Sequence, residues 1–290
     1  EWRTVLVGGQ RGGRLLYMLD ITDPSSFSET NAKQLVEWEF SHPDLGYSFS
    51  KPTIAMMNNG RFAAIFGNGY KSGEDGGTGD CRAKLFVVYL DGGQDGTWTV
   101  GTDYQVFDTG VGVSGDCNGL STPAVVDLTK DAVADRVYAG DLHGNLWAFD
   151  LCNFDTTGEV CSTSSSSWGT ISKIMTAYDD ASPSARQPIT VKPVVSLDPS
   201  TTGGDNLLIT FGTGQYLTDA DKTDTQTQTM YGVREYSALI NGGNYNLNPR
   251  QNAAKFVEQT ITEISDCSTE VTDCSGSLRM ISNNSLQSNS

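Results

Sequence analysis

The feature that most constrains the fold of this chain is a pattern of two apolar strands that occurs four times. In each copy the first strand runs into a glycine step, a loop follows, and a second strand ends on a polar residue. The glycine steps stand at positions 8, 67, 140 and 212, so their spacings are 59, 73 and 72 residues. The four copies are Val5–Gly9 with Leu15–Asp20, Ala64–Asn68 with Leu85–Asp91, Val137–Asp141 with Asn145–Asp150, and Ile209–Thr213 with Thr229–Arg234.

Repeated strand pairs of this kind predict sheets that stack on one another. The run Leu85–Leu90 is apolar at both alternations, which is typical of a strand covered on both faces. Three further apolar runs are each opened by a proline: Pro52, Pro123 and Pro193. We predict an all-β β-propeller of about four blades with long loop insertions over residues 1–240, followed by a loop-rich, Asn/Ser/Thr-rich segment over residues 241–290. A β-sandwich is the alternative, because it also has regular short strands.

The charge balance excludes two classes of partner. With 19 Lys and Arg against 35 Asp and Glu, the net charge is −16, and such a surface repels nucleic acid and anionic lipid. The longest apolar runs are far shorter than the roughly 20 residues that cross a bilayer, so no membrane span is predicted. No basic leader or signal-peptide core precedes Glu1, and the chain is interpreted as an excerpt from a longer precursor.

The six cysteines indicate the redox compartment. Two close pairs, Cys152 with Cys161 and Cys267 with Cys274, lie in Ser/Thr/Asp-rich sequence with no histidine nearby. This arrangement favours small disulfide-closed loops and an oxidising compartment. Free thiols or a zinc site of four cysteines are the alternatives, although the spacings within the pairs are wide for a zinc knuckle.

The sharpest local motif is an acidic loop of nine residues that starts at Asp127. Oxygen ligands stand at its alternate positions, which is the pattern by which a tightly wound loop points at one Ca²⁺ ion. The predicted calcium ligands are Asp127, Thr129, Asp131, the backbone carbonyl of Val133, and Asp135.

The same loop departs from a full EF-hand. Thr129 replaces the usual Asp or Asn, Ala132 replaces the glycine of the sharp turn, and no glutamate follows at position 12. We therefore expect a weaker affinity than that of a full ligand set. The alternative interpretation is an ordinary acidic connection whose charge is offset by Lys130 and Arg136.

No catalytic or organic-cofactor motif is found. The glycine pattern Gly110–Gly115 resembles a dinucleotide fingerprint, but Asp116–Gly119 follows where a helix would be required, so a loop is predicted. The two histidines, His42 and His143, stand in turn-like sequence and are interpreted as surface residues. We assign no catalytic residue and predict that the chain is not an enzyme.

Several of these segments, in order, resemble the C-terminal propeller of the PilC/PilY family of type IV pilus proteins. The resemblance covers roughly residues 1–236. The segments that carry it are Trp2–Gly9, Tyr17–Pro24, Trp38–Phe40, Asp44–Tyr47, Lys51–Pro52, Phe66–Tyr70, and the acidic loop followed by Asp135–Leu151.

The resemblance implies part of a larger, modified propeller in a protein secreted through the periplasm to the bacterial cell surface, at the outer membrane and pilus tip. It implies roles in pilus assembly, restraint of retraction, twitching motility and adhesion to host or abiotic surfaces, with pilins and minor pilins as partners. It also implies that the acidic loop binds calcium through Asp127, Asp131, Asp135 and the Val133 carbonyl, and that calcium occupancy controls retraction. Thr129, with a neutral hydroxyl, departs from the family pattern.

Two rival functions remain open. A quinone-dependent (PQQ) dehydrogenase propeller uses strands similar to Gly144–Asp150 and also binds calcium, but no tryptophan-docking repeat stands in register here. The other rival is a metal-free periplasmic propeller that binds proteins.

Overall fold

The fold is given by a computed structural model. It describes residues 2–152, 168–179, 186–198, 206–235, 257–264, 278–282 and 284. The four predicted repeats form four sheets, named blades I to IV in chain order. Blade I comprises β1 (Val5–Gly9), β2 (Leu15–Asp20) and β3 (Val36–Ser41). Blade II comprises β4 (Thr53–Met57), β5 (Phe62–Gly67), β6 (Lys84–Tyr89) and β7 (Tyr104–Asp108). Blade III comprises β8 (Ala124–Val126), β10 (Arg136–Gly140), β11 (Asn145–Asp150) and β12 (Ile171–Thr176), and blade IV comprises β13 (Val194–Leu197), β14 (Leu207–Gly212) and β15 (Met230–Glu235).

Within each blade, consecutive strands pair antiparallel. The exception to this simple order is β9 (Val133–Ala134), which comes from the connection between two strands of blade III but pairs with β4 of blade II. That pairing is parallel, with Met56 opposite Val133 and Met57 opposite Ala134. The end of the acidic loop therefore lies in the sheet of the neighbouring blade.

The blades pack face to face, and a separate apolar core fills each of three junctions. One core joins blades I and II, a second joins II and III, and a third joins III and IV. Strand β6 contributes to two of them: Leu85 and Val87 face blade III, whereas Phe86 and Val88 face blade I. Neighbouring strand residues point to opposite faces, and because both faces of β6 are covered, the strand is apolar from Leu85 to Tyr89. The predicted all-β propeller architecture is confirmed, and a sandwich with one solvated face is excluded for this strand.

Each opening proline immediately precedes the first strand of its blade. Pro52, Pro123 and Pro193 stand before β4, β8 and β13. Strands β8 and β13 lie at the edges of their sheets, and β9 pairs with β4 only at Met56 and Met57, so the absent N–H of each proline breaks no ladder hydrogen bond.

The remaining regular elements are short. Helix α1 (Ala32–Leu35) and the 3₁₀ turns Pro24–Ser26, Glu29–Asn31 and Asp219–Thr223 lie in connections. A two-stranded antiparallel sheet of β16 (Ile261–Ile264) and β17 (Leu278–Ile281) lies in the segment predicted to be loop-rich. Across the described ranges, no helix has the length and apolar character to cross a bilayer.

A disulfide joins a long connection within blade II to the connection that leads from blade II to blade III. It links Cys81, between β5 and β6, to Cys117, between β7 and β8, across 36 residues of sequence. The sequence analysis did not pair these two cysteines. Cys152 is disulfide-bonded as well; Cys161, Cys267 and Cys274, which complete the two predicted pairs, lie outside the described residues.

Candidate metal centre

The acidic loop leaves blade III at the end of β8 and returns to it at the start of β10. Its residues span a strong gradient of burial: Asp131 is exposed, whereas Asp135 is completely buried. Asp135 is held on both sides by the backbone, because its N–H donates to the Val126 carbonyl and its own carbonyl accepts from Leu151 N–H. The loop is thus anchored at its C-terminal end and open to solvent at its middle.

Asp127, the first aspartate of the loop, holds the following residues in a tight turn around its carboxylate. The Asp127 carboxylate accepts backbone hydrogen bonds from Lys130 at 2.6 Å, Asp131 at 3.2 Å and Ala132 at 2.8 Å. An Asp side chain that bonds backbone N–H groups a few residues ahead stabilises such a turn locally. The turn carries Asp131 back toward Asp127.

The last aspartate faces the same loop from the protein interior. Asp135 Oδ2 accepts hydrogen bonds from the N–H groups of Leu128 at 2.7 Å and Thr129 at 3.0 Å. The Thr129 hydroxyl donates to the same oxygen at 3.2 Å and lies 3.5 Å from Asp127 Oδ1. Thr129 therefore places a neutral oxygen between two carboxylates.

Together, these contacts bring the predicted acidic ligands to one place. Carboxylate oxygens of Asp127, Asp131 and Asp135 lie within 4.8 Å of one another. Calcium binds oxygen at about 2.3–2.6 Å, so two oxygens on one ion are separated by no more than about 5 Å. The carboxylates satisfy this limit, and an all-oxygen donor set is what a hard cation requires. Their chemistry and spacing fit a calcium ion.

Val133, the remaining predicted ligand, begins β9. The Val133 N–H donates to Asp131 Oδ1 at 3.0 Å, so this residue contacts the acidic cluster while it pairs with blade II. Its role as a carbonyl ligand stays a prediction.

The loop turns through two left-handed residues that are not glycine. Lys130 has a φ of 63° and Ala132 has a φ of 67°. A Cβ in this region is crowded against the backbone, and glycine avoids that cost. Ala132 stands at the position where an EF-hand has glycine, and its positive φ shows why glycine is favoured there.

Replacing Ala132 with glycine is therefore expected to stabilise the protein. We expect the free energy of unfolding to rise by about 0.5–1 kcal/mol, since the relief of left-handed crowding outweighs the extra freedom of the unfolded chain. Chemical denaturation followed by circular dichroism measures the difference.

The matched control is Ala134→Gly, two residues later in β9, where φ is not positive. Glycine within a strand lowers stability by roughly 0.5–1 kcal/mol relative to alanine, so the two variants should shift in opposite directions. A loss of stability in both would contradict the assignment of crowding to Ala132.

One residue of the site was missed in the sequence. Asn58, at the turn after β4, donates from Nδ2 to Asp135 Oδ1 at 3.3 Å and to the Ala134 carbonyl at 3.1 Å. In the sequence, Asn58–Gly60 reads only as a turn signal. Its partners are 76 and 77 residues away, and no local pattern could identify them.

The prediction that both histidines are surface residues is wrong for His143. Its side chain is buried, with Nε2 3.1 Å from a carboxylate oxygen of Asp116, and burial lowers the pKa of this imidazole. His42 is partly exposed and packs against the rings of Phe40 and Phe86. The sequence pattern before Gly144 indicated a turn correctly, but Asp116, from the distant connection between β7 and β8, contacts the ring there.

A second cluster has the composition of a metal site but not its chemistry. Glu74 lies within 4.8 Å of the sulfur atoms of Cys81 and Cys117. Those sulfur atoms are bonded to each other, so neither is a thiolate ligand. Gly110–Gly115 forms a loop, as predicted, and no helix follows it among residues 116–123.

Comparison with known proteins identifies related sequences. A family model described as the PilY1 beta-propeller domain matches residues 1–272. The type IV pilus biogenesis factor PilY1 of Pseudomonas aeruginosa, strain PAO1, is 36% identical over 277 residues, which cover 90% of this chain and 21% of that protein. A PilY1 homolog of Xylella fastidiosa is 36% identical over 267 residues, covering 84% of this chain and 16% of the relative.

A solved structure is also similar. The crystal structure of the P. aeruginosa PilY1 C-terminal domain matches with a TM-score of 0.74 and 31% identity, covering 99% of this chain and 56% of that domain. The chain thus spans about a fifth of the length of the curated relatives from P. aeruginosa, and about half of the solved domain.

Proposed function

Because this chain belongs to the PilY1 beta-propeller family, we propose that it is the calcium-binding propeller segment of a type IV pilus biogenesis factor. The relatives are named as biogenesis factors and not as enzymes, which supports a scaffold role without catalysis. The resemblance to pilus proteins noted in the sequence is confirmed at the level of the family.

The observation that carries the calcium assignment is the convergence of three carboxylates within 4.8 Å. Like charges at this separation repel one another, and a divalent cation among them would offset that repulsion. Asp127 holds the wound turn, Thr129 supplies a neutral oxygen, and Asp135 anchors the loop to the buried side of blade III.

In the cell, this segment would act at the pilus. We place the protein, secreted through the periplasm, at the outer membrane and pilus tip, with pilins and minor pilins as partners. Ordering of the loop by calcium would favour one conformation of the propeller, in proportion to the difference in calcium affinity between conformations. Through that difference, calcium would regulate retraction, and with it twitching motility and adhesion to host or abiotic surfaces.

Calcium is expected to raise the melting temperature of the chain, and Asp135→Ala to abolish the rise. Because Asp135 is buried, its removal also lowers stability without calcium, so Asp131→Ala is measured beside it. Asp131 is exposed, and its loss should remove most of the calcium effect at little cost to the fold. Differential scanning calorimetry with calcium and with chelator gives both quantities.

The control is Asp219→Ala, which removes an aspartate that is 93% exposed and far from the loop in sequence. It should keep the full calcium-dependent rise. In the full-length protein, the two loop variants should change surface piliation and twitching, whereas Asp219→Ala should not. An undiminished rise in both Asp135→Ala and Asp131→Ala would remove this loop as the calcium site.

A further inference from the structure

The calcium loop is physically continuous with the junction between two blades. The chain leaves blade III at the end of β8, forms β9 beside β4 of blade II after Asp131, and returns to blade III at Arg136. Only two residues pair on each strand, and such a short parallel ladder contributes little by itself. What holds β9 against β4 must therefore come largely from the contacts around it.

Asn58 makes the polar contacts at this junction. From blade II, its Nδ2 lies 3.1 Å from the Ala134 carbonyl, 3.3 Å from Asp135 Oδ1 and 3.4 Å from the Leu151 carbonyl. Ala134 and Asp135 lie at the end of the acidic loop, and Leu151 directly follows β11 of blade III. One amide group thus ties the turn after β4 to the end of the acidic loop.

The two carboxylate oxygens of Asp135 accept hydrogen bonds from different segments, the acidic loop and Asn58. Oδ2 accepts from the loop backbone and the Thr129 hydroxyl, whereas Oδ1 accepts from Asn58. Since the carboxylate is rigid and fully buried, its orientation in the loop also determines its orientation toward Asn58. The Asp135 carboxylate thus connects the loop backbone directly to Asn58 of blade II.

The apolar surroundings make the junction sensitive to such a change. Met57 and Ala134, which face each other across the short ladder, are buried in the core between blades II and III. Separation of β9 from β4 would expose them and would leave the β4 edge unpaired.

We infer that Asn58 couples calcium binding to the pairing of β4 with β9, so that occupancy of the loop sets how firmly blade II is held to blade III. The inference rests on the proposed calcium site and assigns Asn58 as a positioning residue, not as a ligand. By linkage, pairing that is favoured by calcium must in turn strengthen calcium binding by the same factor.

The test is hydrogen exchange of the full chain, with and without calcium, combined with calorimetric titration of calcium. In the unchanged chain, calcium should slow exchange in β4 and β9 by about tenfold or more, the scale of one hydrogen bond to a charged group. Asn58→Ala should still bind calcium, up to about tenfold more weakly, but most of the added protection in β4 should be lost. A merely structural role would lower protection equally with and without calcium.

The matched control is Asn59→Ala in the same turn. Asn59 donates to the Tyr89 hydroxyl at 3.0 Å, a contact within blade II, so this variant should retain the calcium-dependent protection. If Asn58→Ala does not fold, Asn58→Ser, whose hydroxyl is too short to span the same contacts, replaces it.

The outcomes separate the two claims. Calcium binding without any change in β4 and β9 exchange would overturn the coupling and leave the calcium site standing. Equal calcium-dependent protection in the unchanged chain and in the Asn58 variant would overturn the role of Asn58. An absence of calcium binding to the unchanged chain would overturn the proposed site, and the coupling with it.

Discussion

Replacing Arg136 with methionine is expected to lower the free energy of unfolding by about 3–5 kcal/mol. The guanidinium is buried at 1% exposure, with Nη1 2.8 Å from Asp150 Oδ1 and Nη2 2.5 Å from Glu235 Oε1. Removal of the cation leaves two buried carboxylates without their counterion, which is the costly way to break a buried ion pair.

The electrostatics of this site show how strongly it depends on the arginine. Burial raises the pKa of Asp150 to about 6 and also raises the pKa of Glu235, although Arg136 opposes both shifts. Glu235 also accepts a hydrogen bond from the Tyr138 hydroxyl. Because Arg136 begins β10 and Glu235 ends β15, the network ties blade III to blade IV.

Arg61→Met is the matched control. Arg61 also pairs with an aspartate, Asp91 at 2.6 Å, and lies over a tyrosine ring, Tyr89 at 3.9 Å, but its side chain is 30% exposed. A solvated pair of this kind contributes roughly 0–1 kcal/mol, so the loss should be several times smaller. Equilibrium denaturation of both variants measures the contrast, and equal losses would show that burial is not what makes Arg136 important.

The double variant Cys81→Ser, Cys117→Ser is expected to lose about 4 kcal/mol of stability. The disulfide closes a 36-residue loop, and in the chain-entropy account a crosslink of that length removes about 4 kcal/mol of unfolded-state freedom. It also ties the β5–β6 connection to the β7–β8 connection, where Asn118 N–H donates to the Cys81 carbonyl at 2.9 Å. The unfolding midpoint of the double variant, measured in denaturant, gives the loss.

Substitution isolates this bond better than a reducing agent does. Cys152 is also disulfide-bonded, so reduction would act on more than one crosslink. The double variant should therefore lose less stability than the fully reduced parent chain. A loss below about 1 kcal/mol would mean that the two connections are held by packing alone.

Much of the fold was predictable because it depends on local patterns. Apolar residues at every position of Leu85–Tyr89 predicted that β6 is covered on both faces, and the apolar cores on its two sides confirm this. Turn-forming glycines and strand-opening prolines marked the repeats, because they act through their own backbone. The spacing of Asp127, Asp131 and Asp135 likewise predicted their convergence, since the loop that joins them is short.

Other features depend on contacts between distant segments. Asn58 meets Asp135 across 77 residues, and Arg136 meets Glu235 across 99. The pairing of Cys81 with Cys117 and the burial of His143 have the same origin. None of these residues carries a local signature of its partner.

The amino-acid sequence by itself determined the number of repeats, the all-β class and the position of the acidic loop. Each of these follows from composition or from interactions within a few residues. Only the tertiary structure decided that the end of this loop, β9, pairs with blade II, and that Asn58 contacts it there. The physical reason is that stacking of the blades brings their edges together, and hydrogen bonds between edges depend on that stacking and not on sequence spacing.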